Sequence, residues 1–202
     1  MKKLFCLICM GLFIATASAQ ITWNAKGGLG LAKCTGDYET KSKFVAKAGV
    51  GIEKAFSPNW SLMPSLELAW KGYKIDEEGD GASFKEDASM LYIQVPVLAA
   101  YRMNLNDSWN LVLKAGPYIA CGLFGNSDYE YESNYDDGNY SESGSDDVFD
   151  YAERLDIGLD FGVDFEHHRY VIGAEYEFGL TSISKGEDVK TSAFYVTVGY
   201  KF

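Results

Sequence analysis

Two adjacent histidines, His167 and His168, are the whole imidazole content of this 202-residue chain. Imidazole is the usual general base in nucleophilic catalysis, where it must sit between a nucleophile and an orienting acid. Glu166-His167-His168 reads as a tight turn between two alternating segments, with no nucleophile in its pattern, so no catalytic residue is assigned. Cysteines or carboxylates at zinc-ligand spacing are also missing beside the pair. A second chemical feature is the stretch 123–152. It carries Asp128, Glu130, Glu132, Asp136, Asp137, Glu142, Asp146, Asp147 and Asp150 without one Lys or Arg, and Tyr129, Tyr131, Tyr135, Tyr140 and Tyr151 are interleaved. Oxygen donors of this kind suit Ca²⁺, although the spacing is not that of an EF-hand; Asp136, Asp137, Asp146 and Asp147 are the candidate ligands. Tyrosine mixed with Ser, Gly and Asn is also the composition of adaptable binding loops. The stretch therefore reads as a solvated acidic loop able to meet a protein or glycan, or to reach phosphates through divalent cations. A third feature is Asp156, Asp160 and Asp164, one acid every fourth residue.

Those aspartates belong to a longer alternation. Leu155, Ile157, Leu159, Phe161, Val163 and Phe165 interleave with Asp156, Gly158, Asp160, Gly162 and Asp164. Period two over that length specifies a β-strand with its two faces in different media. Eight such segments run near 21–31, 43–54, 60–73, 90–103, 109–122, 153–165, 169–181 and 192–202. Connections alternate between short turns, at 56–59, 104–108 and 166–168, and longer loops, at 32–42, 74–89, 123–152 and 182–191. Short turns on one side and long loops on the other are the plan of an antiparallel transmembrane β-barrel with its long loops outside the cell. Residues 1–19 fit an export signal: Lys2 and Lys3, an apolar run from Leu4 to Ala15 too short to span as a helix, and Ala17-Ser18-Ala19 before the cut. The expected barrel domain is then 20–202. The formal net charge is −11 and excludes nucleic acid as a natural partner. Cys34 and Cys121 fall on the first and fifth strands and are not expected to bridge.

Alternation does not say which face points inward. A soluble lipocalin-like carrier has the same period with its apolar face inside. Three observations favour apolar-out. Glycines gather on the polar face (Gly28, Gly30, Gly49, Gly51, Gly116, Gly158, Gly162, Gly173), where an eight-stranded lumen leaves little room. Trp23, Trp60, Tyr101, Trp109, Phe165, Tyr170 and Phe202 collect at the short-turn ends as a periplasmic-side aromatic girdle. The chain also ends on an aromatic residue, which gives a soluble barrel nothing. The polar face carries Lys26, Lys43, Lys47, Lys71, Arg102, Lys114, Arg154 and Lys201 against Glu53, Glu67, Asp156, Asp160, Asp164, Glu175 and Glu177. Eight bases against seven acids is the near-balance a narrow, ion-paired lumen needs. The expected lumen network is Lys26, Lys47, Glu67, Lys71, Arg102, Lys114, Asp156, Asp160, Asp164, Glu175 and Glu177. Pro64, Pro96 and Pro117 fall inside strands, where each is expected to mark a bulge or a frayed rim.

Leu91-Tyr92-Ile93-Gln94-Val95-Pro96-Val97-Leu98 resembles a strand of the PorT-like outer-membrane β-barrel proteins of Bacteroidetes. Asp156 to Gly162 and Tyr176 to Ile183 are similar to that family's penultimate hairpin, and Ala193 to Phe202 to its closing strand, the segment read by the barrel-insertion machinery. The resemblance runs over essentially the whole of 20–202. It implies an up-and-down barrel of the OmpA/OmpX type in a Gram-negative outer membrane, with lipid and lipopolysaccharide around it, and it carries no functional residues over. The expected role is a non-enzymatic surface-binding or envelope-structural barrel with a plugged lumen. The alternatives are a small pore or secretion accessory, and the soluble carrier.

Overall fold

The computed structural model describes residues 21–36, 40–79, 82–135, 138–184 and 189–202. The expected export signal at 1–19 and the candidate ligands Asp136 and Asp137 lie outside the described residues. Nine strands form: β1 (Ile21–Gly36), β2 (Lys43–Ala55), β3 (Trp60–Gly79), β4 (Ala82–Asn104), β5 (Trp109–Tyr135), β6 (Gly138–Asp147), β7 (Leu155–His167), β8 (Tyr170–Gly179) and β9 (Val189–Lys201). A single 3₁₀ turn, Val148–Asp150, follows β6. The sheet runs β4-β3-β2-β1-β9-β8-β7-β5-β6, and β4 also pairs with β5. Eight strands therefore close an antiparallel ring, and β6 stands outside it.

The alternation of each ring strand sets its two faces. Trp23 is 60 % exposed and Phe44 66 %; Leu29, Leu66, Leu68, Trp70, Leu113, Phe161, Ile172, Val196 and Val198 are also exposed. The intervening Lys47, Glu67, Lys71, Asp156, Asp160, Asp164, Glu175 and Glu177 are buried. A soluble carrier requires the reverse, and that reading is set aside. The apolar band covers about ten residues per strand, enough to cross a bilayer at barrel tilt. Its short-turn rim is aromatic: Trp60 packs on Tyr101 at 5.0 Å, Tyr170 on Tyr200 at 5.4 Å, and Tyr200 on Phe202 at 5.3 Å. The Phe202 amide donates to the Trp23 carbonyl at 2.8 Å, tying the two ends of the described barrel together.

Several expectations are corrected. The segments 74–89 and 123–152 are not loops. β3 and β4 continue as one hairpin to Gly79 and Ala82, while β5 runs on to Tyr135 and turns back as β6. Their alternation is of Tyr, Ser and acids rather than apolar against charged, because both faces leave the membrane there. The prolines mark no bulge. Register is unchanged across Pro64 (opposite Val97, with Glu67 opposite Gln94) and across Pro96 (opposite Tyr118, with Ala99 opposite Ala115). A missing N–H removes a ladder bond but inserts no residue. The register shift instead lies at Leu91/Tyr92, where Leu123 and Phe124 both turn outward. His167 is the last residue of β7 rather than part of the turn, and His168 makes the reversal with φ 54°.

Candidate functional site

Three layers fill the barrel. Nearest the short turns, Arg102 and Lys201 share Glu53 and Glu166. Arg102 donates through its Nη2 to Glu53 at 2.6 Å and through its Nε to Glu166 at 3.0 Å; Lys201 meets Glu53 at 2.7 Å and also pairs with Glu166. A cavity of about 280 Å³ opens below them. In the middle layer Lys26 reaches Glu67 and Glu175, both at 2.9 Å, and Lys114 reaches Asp164 and Glu175, both at 2.6 Å. Lys47 pairs with Glu175 and lies 3.0 Å from Glu177. Above, Lys71 meets Glu177 at 3.0 Å and Asp156 at 3.2 Å, while Gln94 donates to Glu177 at 2.9 Å. Tyr118 and Thr191 donate to Asp156 at 3.2 and 2.9 Å. The Lys71 ammonium also lies over the Tyr118 ring, 4.5 Å from its centre.

All eleven residues of the expected network are thus in the lumen. Lys43 and Arg154 are not. Lys43 turns to Asp87 and Ser89 at the outer rim, and Arg154 donates to the carbonyls of Gly122 and Leu123. Glu166, assigned to a turn from the sequence, joins the lower layer. The expected near-balance is corrected accordingly: six bases face eight buried acids. Asp160 is the extreme case, 0 % exposed with no hydrogen-bond partner for either carboxylate oxygen. It lies opposite Gly116 on β5 and Glu177 on β8. Elsewhere on the inner face glycines make room for their neighbours. A Cβ on Gly158 would sit 2.6 Å from the Tyr118 ring, and one on Gly49 would sit 2.6 Å from the Leu66 carbonyl.

Apolar side chains pack together toward the outer end. Tyr92, Tyr118, Met90, Cys34 and Ile183 form a buried cluster with Val148 and Phe149 from the 3₁₀ turn, and Phe149 meets Tyr92 edge-on at 6.0 Å. Asp147 caps that turn, its side chain accepting from the Phe149 amide at 2.9 Å. Asp146 and Asp147 are successive strand residues whose side chains leave opposite faces, so they do not converge on one ion. Among the described residues no group of three or more His, Cys, Asp or Glu is arranged to hold a metal. His167 stacks on Trp109 at 4.5 Å, and its Nδ1 is buried with no hydrogen-bond partner, so no acid orients it. Cys34 is buried and Cys121 exposed, and neither is bridged.

Sequence reasoning missed the sealing groups. Tyr92, Tyr118 and Tyr195 are fully buried on the inward parity, a signal that is passed over when only charges and glycines are sorted onto that face. Phe149 lay in the segment taken for a loop. Outside the band, Lys43 and Lys74 hold the Asp87 carboxyl below the ordinary range despite the cost of its partial burial.

An eight-stranded ring that is greased outside, ionic within and girdled at its short-turn rim is the fold of outer-membrane barrels. The family of outer membrane protein beta-barrel domains matches residues 16–185. The chain belongs to that family. Among solved structures the barrel is similar to the attachment invasion locus protein Ail of Yersinia pestis, at 19% identity over 90% of this chain and 98% of that one, with a TM-score of 0.43. It is also similar to Neisserial surface protein A, at 13% identity over 92% and 100% with a TM-score of 0.45. The outer membrane protease OmpT of Escherichia coli is similar at 10% identity over 93% and 99%, with a TM-score of 0.41. No curated protein matches the chain.

Proposed function

We propose that this outer-membrane barrel is a surface-binding protein without enzymatic activity, with a closed lumen, and that the sheet standing above the ring is its binding element. One observation carries the reading. Among the described residues β6 pairs with β5 alone, so the sheet order ends on β6 as an edge. A free edge is a template onto which an extended segment can add as a further strand. β6 carries neither a basic residue nor a proline, and its charges, Glu142, Asp146 and Asp147, are all acidic, so the edge repels acidic strands and admits basic ones. The edge strand and its neighbour carry Asp128, Glu130, Glu132, Glu142 and Asp146, together with Tyr129, Tyr131 and Tyr140. The matching partner is an extended basic protein segment. The same acids can meet lipopolysaccharide phosphates through divalent cations.

The closed lumen rests on the three layers. Between the lower cavity and the apolar packing, a cavity of about 40 Å³ beside Lys26, Lys114 and Asp164 leaves room for a few waters, and no continuous channel is needed to explain it. The absence of enzymatic activity rests on His167, which sits at the short-turn end away from the outer sheet. Kinship with the PorT-like proteins, and recognition of the closing strand by the insertion machinery, belong to the same reading. Joining Gly125 to Val148 removes the β5–β6 hairpin and leaves the ring strands intact. Pull-downs from intact outer membranes with and without that hairpin test the role. Loss of the captured partner supports it, and an unchanged set of partners moves the binding to the barrel wall. Steady single-channel current from the folded barrel in planar bilayers overturns the closed lumen.

A further inference from the structure

Above the Phe149 seal, on the inner side of the β3–β4 hairpin, lies a cavity of about 300 Å³. It is separate from the β6 edge and does not depend on it. Its apolar wall includes Ile75, Phe84, Met90 and Val189, and Tyr73 and Tyr151 complete it. Two carboxylates line it, Glu77 and Glu86, and among the described lining residues there is no Lys or Arg. Glu86 is held in an unusual way. Tyr73, Ser127 and Tyr151 all donate to its Oε1, at 3.0, 2.6 and 3.2 Å. Three hydroxyls from three separate segments fix the carboxylate against the wall, yet none of them neutralises it.

The cations nearby are already used. Lys43 and Lys74 both pair with Asp87, Lys74 at 2.9 Å, and Lys41 pairs with Asp76 at 2.6 Å. Among the described residues Glu86 has no ion-pair partner. The structure therefore presents a positioned anion, without its counter-ion, beside aromatic and aliphatic surface in a cavity at the lower end of small-molecule size. An anion is repelled there. A hydrated metal ion gains nothing from Phe84, Ile75 and Met90. A neutral apolar molecule leaves the carboxylate unmatched. An organic cation uses everything the cavity offers: a charge-assisted hydrogen bond to Glu86, cation–π contact with Tyr73 or Tyr151, and burial of its carbon skeleton.

We propose that this cavity is a binding site for a small organic cation with a compact apolar body, such as a primary arylalkylamine. The ammonium sits at Glu86, with Glu77 adding to the field at the rim. The ring packs between Phe84, Ile75 and Met90. The acidic outer sheet concentrates such cations near the mouth.

The test uses the full barrel folded in detergent micelles and three probes of matched size: 2-phenylethylamine, 2-phenylethanol and phenylacetate. Each is titrated by calorimetry at neutral pH, with protein-free micelles as the reference. The expected result is saturable one-to-one binding of the amine, at least tenfold tighter than the alcohol, with no binding of phenylacetate. Glu86→Gln keeps an oxygen for the three hydroxyls and is expected to weaken the amine at least tenfold while leaving the alcohol unchanged. Met90→Trp fills the cavity without touching the acid and is expected to abolish amine binding in a barrel whose gel mobility shows it folded. Equal affinities for the three probes, an amine affinity untouched by Glu86→Gln or by Met90→Trp, or no saturable amine binding at millimolar concentration overturns the proposal. Loss of hairpin-dependent partners leaves it standing, since the amine is titrated into the full barrel with its hairpin intact.

Discussion

Lys47 is the base on which the lumen turns, and its replacement by Met is the sharpest test of the layered network. The side chain is 1 % exposed and reaches three acids: Glu175, Glu177 at 3.0 Å and Glu67 at 3.7 Å. Its ammonium also lies 4.5 Å from the centre of the Tyr195 ring. Met fills the space of the lysine stem, so packing is largely kept and the change is electrostatic. Breaking a buried pair by deleting one partner costs about 3–5 kcal/mol, because the remaining charge is stranded. Here each acid keeps a second base: Glu67 and Glu175 keep Lys26, Glu175 also keeps Lys114, and Glu177 keeps Lys71. That places the cost at the low end, about 3 kcal/mol, or more than a hundredfold in the folding equilibrium. Reversible urea unfolding in lipid vesicles, followed by tryptophan fluorescence, reads it directly. A loss below about 1 kcal/mol, the range of exposed pairs, refutes the view that the lumen is dry and its charges mutually dependent. A double mutant with Glu177→Gln is expected to recover part of the loss, since the two groups touch.

Other perturbations separate the terms. Asp160→Asn is expected to leave stability unchanged or raise it in the same urea assay, because this acid has no partner to lose and the lumen holds more acids than bases; a loss as large as that of Lys47→Met contradicts the charge count. Gly158→Val is expected to destabilise by about 1–3 kcal/mol, since the new side chain meets both the Tyr118 ring and the carbonyl of Phe178. At the outer rim Asp87→Asn is expected to cost a fraction of a kcal/mol at neutral pH, its side chain being 40% exposed. Asp87 is depressed in the folded state, so its contribution is present above the unfolded carboxyl's ordinary range. It fades as pH falls through the lower folded value. The wild-type and Asp87→Asn urea midpoints are therefore expected to differ at pH 7 and to draw together as pH falls below the ordinary carboxyl range.

The ring was legible in the sequence because lipid imposes a strict rule: each outward residue from Leu155 to Phe165 must be apolar, and each inward one must be something else. That rule fixed strand number, facing and the girdle at Trp23, Trp60 and Trp109. It lapses above the membrane, where Tyr129-Glu130-Tyr131-Glu132 alternates just as regularly but has water on both sides. The extended hairpins were hidden for that reason, and with them the Glu86 cavity, whose parts come from β1, β3, β4, β9 and the segment after the 3₁₀ turn, with Ser127 of β5 holding the acid. The prolines misled in the opposite sense. Pro64 and Pro117 sit on the outward face, opposite Val97 and Leu159. In a closed ring a missing N–H is absorbed locally, because the strands on either side hold the register.

Register is the quantity the buried charges set best. Slipping β8 by one residue against β7 and β9 would turn Glu175 and Glu177 into the membrane and bring Tyr176 and Phe178 inward. A carboxylate in hydrocarbon is far costlier than an apolar side chain in the wrong layer, so the ionic face penalises slippage more than the greasy face rewards correct pairing. The acids of β7 and β8 meet bases carried by β1, β2, β3 and β5, and the pairing thus couples strands that are not neighbours in the ring. That coupling bears on the outer sheet. β4 and β5 enter it directly from the wall, through the single register shift at Leu91/Tyr92 that lies between the charged layers and the tyrosine-rich hairpin. A wall locked in register below fixes which residues face the β6 edge above, and any partner that adds to that edge meets a surface whose strand order was decided inside the membrane.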